Sequence, residues 1–334
     1  MYEGQEMSRP GVSVVVPVYN SSVSLAKLVD RLEQVLGNVA SDYELVLVND
    51  GSQDASWETI CALAKGRPWV RGIQLMRNYG QHNALLCGIR AAAFATVVTL
   101  DDDGQNPPEE IPKLLERLAE GYDVVYGVPD QQQHGLWRNA ASCLAKLAIQ
   151  SVLGAESARH VSAFKAFHTR VRESFADCEG AYVSIDVLLT WGARRVGSVK
   201  VRHEARQLGK SNYTFRRLVI HAFNMVTSFG LLPLHLASLV GFCFTFFGAA
   251  VLAYVVGRYL LQGGSVAGFP FLASIIAIFS GAQLFVLGMM GEYLARIHAR
   301  SMHKPAYVVA DETALVPETR VVSLKTLLPD TKGL

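Results

Sequence analysis

Three consecutive carboxylates, Asp101-Asp102-Asp103, are the residues best placed to do chemistry in this 334-residue chain. They follow the apolar run Ala95 to Leu100 and precede Gly104-Gln105-Asn106-Pro107-Pro108. The pattern reads as a strand ending in crowded like charges, then a proline-rich turn. Such crowding is unfavourable unless a cation sits there. Hard divalent ions such as Mg²⁺ or Mn²⁺ take oxygen ligands and bridge carboxylates to phosphates. The chemistry implied is the holding of a metal-bound diphosphate at the carboxyl end of a strand, where open α/β sheets bind ligands. A solvated acidic turn or helix cap is the alternative that an isolated triplet leaves open.

The segments around the triplet supply its context. Val12 to Val18 is a nearly continuous apolar run, as expected of a strand buried on both faces. Apolar residues at helical spacing follow from Ser24 to Leu36. The alternation continues with strands at Tyr43 to Asn49, Val70 to Leu75, Ala95 to Leu100 and Val124 to Tyr126. Helices are predicted between them at Ser56 to Lys65, Asn83 to Ala93 and Pro108 to Glu120. This β-α alternation predicts a mostly parallel sheet wrapped by helices. Four strand tips then carry polar groups to one edge: Pro17 to Asn20, Asn49 to Ser52, Arg77 to Gly80, and Asp101 to Gln105. The chain has no GxGxxG after its first strand and no GxxxxGK[ST], so a dinucleotide-binding or P-loop mode is unsupported. The polar, glutamine-rich stretch from Pro129 to Leu136 is a candidate loop over the site.

Composition narrows the setting. The net charge of +2 gives no global argument for nucleic acid. The five cysteines, Cys61, Cys87, Cys143, Cys178 and Cys243, have no metal-ligand spacing and read as core residues in a reducing compartment. The polar N-terminus, residues 1–11, is expected to be a tail without a secretory signal.

The last third of the chain changes character. From 213 to 230, Phe215, Leu218, Val219, Ala222, Phe223, Val226 and Phe229 fall on one helical face, and Arg216 and Arg217 lie largely elsewhere. An amphipathic helix beside an apolar span is expected to lie in a lipid interface, with packing on the domain as the alternative. The stretches Leu231 to Leu261 and Phe269 to Met290 each exceed the roughly 20 residues that cross a bilayer core. Joined by Gln262-Gly263-Gly264-Ser265, they predict a transmembrane hairpin. Arg216 and Arg217 on one side, and Arg296, Arg300 and Lys304 on the other, put the catalytic domain and both termini in the cytoplasm. Arg258 near the outer end can snorkel. The expected organisation is therefore a catalytic domain over 12–212, the juxtamembrane helix 213–230, the two spans within 231–295, and a C-terminal tail 296–334.

The runs VSVVVPVYN, VNDGSQD, LMRNYGQH and TLDDDGQNPPEEIP together resemble family 2 glycosyltransferases of the GT-A fold. With the C-terminal hairpin and the ending GEYLARIHARSMHKPAYVV, the chain is similar to the polyprenyl-phosphate glycosyltransferases over about residues 12–310. That resemblance implies roles. Pro17 and Tyr19 line a nucleobase pocket and Asp50 hydrogen-bonds the base. Asp101 and Asp103 form the pair that binds ribose, diphosphate and metal, with Asp102 accessory. Gln105 contacts the metal or sugar phosphate. Arg138, with Arg206 and Ser211, binds the acceptor phosphate; surface salt-bridging is the alternative for the two arginines. Three positions depart from the pattern: Ser21 replaces a usual Glu, Asn212 a frequent Lys, and Arg159 an acidic residue. Asp102 stands where many relatives carry a small residue.

The function so implied is inverting transfer of a sugar from a nucleotide-diphosphate sugar, UDP favoured, to a polyprenyl phosphate such as undecaprenyl phosphate. It implies Mg²⁺ or Mn²⁺ as cofactor, a location in the inner membrane, and a homo-oligomer, with Ala306 to Val309 pairing between subunits. A transferase extending another glycan or lipid, and a catalytically silent membrane scaffold retaining the fold, are the alternatives.

Overall fold

The computed structural model describes residues 9–130, 161–178, 183–204, 232–262 and 269–313. The valine-rich runs become strands β1 (Arg9–Val18), β2 (Tyr43–Asn49), β3 (Val70–Leu75) and β4 (Phe94–Thr99). β-branched side chains fit a pleated surface buried on both sides, and Val14, Val15, Val16 and Val18 are fully buried. Strands β5 (Val124–Pro129), β6 (Lys165–His168), β7 (Val196–Val201) and β8 (Val309–Glu312) complete one eight-stranded sheet in the order β7-β5-β6-β4-β1-β2-β3-β8. β1 pairs in parallel with β2 and β4, β2 with β3, and β5 with β7. β6 is antiparallel to both β4 and β5, and β8 is antiparallel to β3.

Helices cover both faces. Leu25, Leu28, Val29, Leu32 and Leu36 form the buried stripe of α1 (Leu25–Val39). With α2 (Ser56–Gly66) and α4 (Ile111–Ala119) it packs on Val14, Val16, Leu45 and Leu47. On the other face, α3 (Gln81–Ala91) and α5 (Ile185–Gly192) pack on Val15, Val46, Val48 and Val97. A buried polar pair, Ser13 and Glu44, is among the polar groups in this interior. Ser13, in β1, donates to Glu44 Oε1 (2.6 Å), which also accepts the Ala93 N–H (2.6 Å), while Ser13 Oγ accepts the Phe94 N–H.

Several boundaries differ from the sequence expectation. α3 starts at Gln81, two residues early, because Gly80 takes φ +94° and turns the chain directly into the helix. The segment expected as one helix from Pro108 opens with a 3₁₀ turn, Pro108–Glu110, and becomes α-helical at Ile111. Pro107 and Pro108 have no N–H to bond, which suits a terminal turn. β6, α5 and β7 carry no periodicity strong enough to predict them. The expected pairing of Ala306 to Val309 between subunits is replaced by pairing within the chain: Val309 opposes Leu75, Asp311 opposes Gln74, and Glu312 opposes Ile73. Ala306 is buried against the domain instead.

Two long helices follow, α6 (Leu232–Gln262) and α7 (Phe269–Ser301). Their apolar windows, Leu234–Arg258 and Ile278–Ser301, have hydropathies of 2.3 and 1.3 and are not buried by the rest of the chain. The helices pack on each other where Phe279 meets Phe244 and Phe247. Gly248 permits that approach, since a Cβ there would lie 2.7 Å from the Phe279 ring. α7 runs on past the predicted span and carries the Arg296–Glu292 pair one turn apart. The amphipathic segment 213–230 and the stretch 131–136 lie outside the described residues.

Candidate active site

The parallel strands end at one edge, and the tips of β1, β2, β3 and β4 meet there. Pro17 and Val18 at the end of β1 and Tyr19 after it, Asp50 after β2, Asn78 and Gly80 between β3 and α3, Gln81 at the start of α3, and Asp101 to Asp103 after β4 line one open cleft of about 220 Å³. Pro17, Tyr19, Asp50, Asp101, Asp102 and Asp103 are thus brought together as the sequence predicts. Asn78, Gly80 and Gln81 join them. Gln81 was not foreseen; the signal for it was a polar side chain directly after the glycine that starts a helix.

Asp50 is only 3% exposed. Its carboxylate accepts the N–H groups of Tyr79 (2.7 Å) and Gly80 (2.8 Å), tying the β2 tip to the β3–α3 loop. Burial pushes its pKa up and these two N–H groups oppose the rise, leaving it above the usual value. Gly51 makes the approach possible. Its φ is +65°, and a Cβ would lie 2.5 Å from Asn78 N and 2.6 Å from Arg77 C. Arg77 in turn stacks over the Tyr79 ring at 4.7 Å.

Each aspartate of the triplet has its own partner. Asp101 Oδ1 accepts from Gln81 Nε2 at 2.6 Å, Asp102 Oδ2 from the Tyr19 N–H at 3.2 Å, and Asp103 Oδ1 from the Gln105 N–H at 3.1 Å. Burial raises the Asp102 pKa above its ordinary value, and the neighbouring Asp103 charge adds to it against the Ser21 hydroxyl and the Tyr19 N–H. Gln105 is not among the cleft-lining residues; its carbonyl accepts the Glu204 N–H at 2.9 Å. That bond draws the segment after β7 under the acidic loop. Arg31 clamps the same corner, with a two-point contact to Glu109 (2.9 and 2.7 Å) and a third bond to Glu204 (3.1 Å). The Arg31 guanidinium holds the Glu109 carboxyl below its usual pKa. Arg202 Nε bonds the buried Glu110 at 2.7 Å. Residues 202–204 are therefore fixed immediately before Arg206 and Ser211, which lie outside the described residues, as do Arg138, Arg159 and Asn212.

The donor set suits a hard cation. Asp101 and Asp103 present carboxylate oxygens to an open cleft, the ligand type that Mg²⁺ and Mn²⁺ take. No group of three or more acidic, His or Cys side chains converges to hold a metal by itself among the described residues.

The sequence profile of "Glycosyl transferase family 2" matches residues 13–172. An undecaprenyl-phosphate 4-deoxy-4-formamido-L-arabinose transferase of Pseudomonas paraeruginosa is 36% identical over 301 residues, covering 89% of each chain. A protein of the same name from Yersinia pestis is 35% identical over 301 residues, 89% of this chain and 92% of that one. Among solved structures, glucosyl-3-phosphoglycerate synthase from Mycobacterium tuberculosis in complex with Mn²⁺, UDP and phosphoglyceric acid superposes with a TM-score of 0.49 at 19% identity, over 65% of this chain and 76% of that one.

A largely parallel sheet that gathers an acidic strand tip and the ends of its neighbours into one cleft is the GT-A architecture of the glycosyltransferases. The chain belongs to glycosyltransferase family 2 and is an enzyme, which answers the scaffold alternative.

Proposed function

We propose that this enzyme transfers a sugar, with inversion, from a nucleotide-diphosphate sugar to a polyprenyl phosphate at the cytoplasmic face of the inner membrane. The observation that carries the reading is the convergence of Asp101 and Asp103 with the Pro17–Tyr19 wall in one cleft, on a chain that also bears two exposed apolar helices. The 36%-identical relatives named for undecaprenyl phosphate support that acceptor class. The domain division, membrane topology and homo-oligomeric state expected from sequence belong to the same proposal.

Asp101 and Asp103 are the residues that would hold Mg²⁺ or Mn²⁺. When bound, the ion supplies electrostatic relief to a leaving diphosphate. Gln81 orients the Asp101 carboxylate and the Gln105 N–H orients that of Asp103. Pro17, Val18 and Tyr19 offer an apolar and aromatic wall for the base, and Asp50 braces the loop opposite them. The acceptor phosphate has a second pKa of about 6 and is largely dianionic at neutral pH, so it can attack without a strong general base. Arg138, Arg206 and Ser211 are the proposed acceptor-phosphate ligands, offsetting repulsion between two phosphate-bearing substrates. The network holding residues 202–204 supports this for Arg206, which follows two residues later. Attack opposite the leaving group inverts the anomeric centre.

The test is transfer of radiolabelled sugar from UDP-sugars to undecaprenyl phosphate in detergent. Asp103→Ala is expected to lower turnover by about 100-fold or more, the scale of losing a transition-state electrostatic contact, and EDTA to abolish it. Unchanged transfer by Asp103→Ala, or full activity in EDTA, would refute the assignment. Arg138→Ala should raise the KM for acceptor more than that for donor.

A further inference from the structure

β1 and β4 are neighbours whose ladder closes with the Leu100 N–H donating to Val15 O at 3.3 Å. Beyond that bond the two tips part. β1 continues beside β2, with Val18 opposite Asn49 and the Asp50 N–H donating to Val18 O. The chain after β4 instead turns through the acidic triplet to Gly104. Asp102 rejoins them across the mouth of the cleft: its Oδ2 accepts the Tyr19 N–H at 3.2 Å, and its carboxylate meets the Ser21 hydroxyl.

The β1 tip is otherwise anchored to the β2–α2 side. The Asn20 N–H donates to Ser52 Oγ, Asn20 Oδ1 accepts the Gln53 N–H, and the Ser21 N–H donates to Ser56 Oγ. Asn20 sits at φ +54°, the left-handed region that Asn adopts more readily than other side-chain-bearing residues. Tyr19 is 46% exposed; its ring has little packing to fix it, and its backbone must do so.

We infer that Asp102 is a positioning residue of the donor site and not a ligand of the ion: its carboxylate fixes the Tyr19 backbone, and with it the Pro17–Tyr19 wall, relative to Asp101 and Asp103. The inference rests on the donor-site reading above. All three aspartates accept an N–H, but only Asp102 accepts one from the β1 tip that forms the wall; Asp101 and Asp103 accept theirs from Gln81 and Gln105. The three aspartates thus divide the work, two toward the diphosphate and one toward the wall that receives the base.

The experiment titrates UDP, and separately GDP, into the full-length protein in detergent with Mn²⁺ by calorimetry, and records the electron paramagnetic resonance of bound Mn²⁺. Asp102→Ala should weaken nucleotide binding about tenfold, the worth of one hydrogen bond to a charged group, while the spectrum of the Mn²⁺ that remains bound is unchanged. Asp102→Asn keeps an oxygen for the Tyr19 N–H and should recover most of that loss. Asp103→Ala should lose the bound Mn²⁺ signal. Wild-type affinity in Asp102→Ala overturns the inference, and so does an Asp102→Asn variant that loses Mn²⁺ as Asp103→Ala does. If Asp102→Ala does not fold, Asp102→Asn decides by the same two readouts. Wild-type protein that binds neither nucleotide with Mn²⁺ present would instead bring down the donor reading itself, and this inference with it.

Discussion

Lys165 lies at 1% exposure in β6, opposite Thr99 of β4 and Tyr126 of β5. It forms an ion pair with Asp186 at the start of α5, and Asp186 also accepts the Tyr126 hydroxyl at 3.2 Å. Burial, then the Asp186 charge, push the Tyr126 pKa well above 10, so the phenol stays a donor. Lys165 sits in the row two residues before Asp101. Removing one partner strands a buried charge, whereas removing both does not. Lys165→Met is therefore expected to cost about 3–5 kcal/mol, and Lys165→Met with Asp186→Leu to recover most of it, measured by denaturant unfolding in detergent. A second carboxylate sets pH dependence. Asp123 accepts the N–H groups of Arg194 and Arg195 at 3.0 Å and the Arg170 guanidinium at 2.7 Å. Burial raises its pKa, but the Arg195 N–H, Arg170 and the Arg194 N–H outweigh that and hold it below the usual value. A depressed folded-state pKa contributes stability above the unfolded pKa of about 4 and loses it as pH falls through the folded value. Asp123→Asn should therefore lower the melting temperature at pH 7 and flatten its fall below pH of about 4.

At the scale of elements, β8 joins the end of α7 to the catalytic sheet. The Gly72 N–H donates to Thr313 Oγ1 (2.7 Å), the Thr313 N–H to Gly72 O (2.9 Å), and the Met76 N–H to Val308 O (2.9 Å). Arg71 pairs with Glu312, and Arg90 lies over the Tyr307 ring at 5.9 Å. β8 covers an edge of β3 that would otherwise expose unpaired backbone groups. Met76 immediately precedes Arg77 to Gly80, the loop that braces Asp50. Ending the chain at Lys304 should speed hydrogen exchange at the Gly72 and Met76 amides by about tenfold or more, the worth of one or two backbone hydrogen bonds. Unchanged protection there would show that β8 adds nothing to the sheet. Local pattern revealed β1, β2 and β4 because each carries a near-continuous apolar run, and β3 because Val70, Ile73 and Leu75 recur along it. It did not reveal β6, whose four residues include a lysine made tolerable only by Asp186 from another element. Nor could it reveal that β8 closes onto β3, a pairing across more than two hundred residues that no local period encodes.

At the scale of the whole molecule, α6 and α7 leave large apolar side chains exposed along their length, among them Phe242, Phe246, Leu252, Leu284 and Leu287. Contiguous surfaces of that kind are covered by lipid or protein in the cell. Arg296 and Arg300 lie at the α7 end that leads back to the catalytic sheet, so the proposed topology puts both on the cytoplasmic side. In a cysteine-free background, Gly264→Cys should react with an impermeant maleimide in intact cells and Met302→Cys should not. The reverse labelling would invert the topology.

Hydropathy and strand-end chemistry let the sequence alone determine the class of sheet, the edge bearing the site, the two apolar helices and the resemblance to glycosyltransferases. Those are local properties, set by the side chains of contiguous segments. What each aspartate of the triplet bonds to was decided only in three dimensions. Three adjacent aspartates are chemically equivalent along the chain. They become different because Asp101 meets Gln81, Asp102 meets Tyr19 and Asp103 meets Gln105. Two of those partners are brought by other elements of the fold, and that placement follows from packing, which no short stretch of residues specifies.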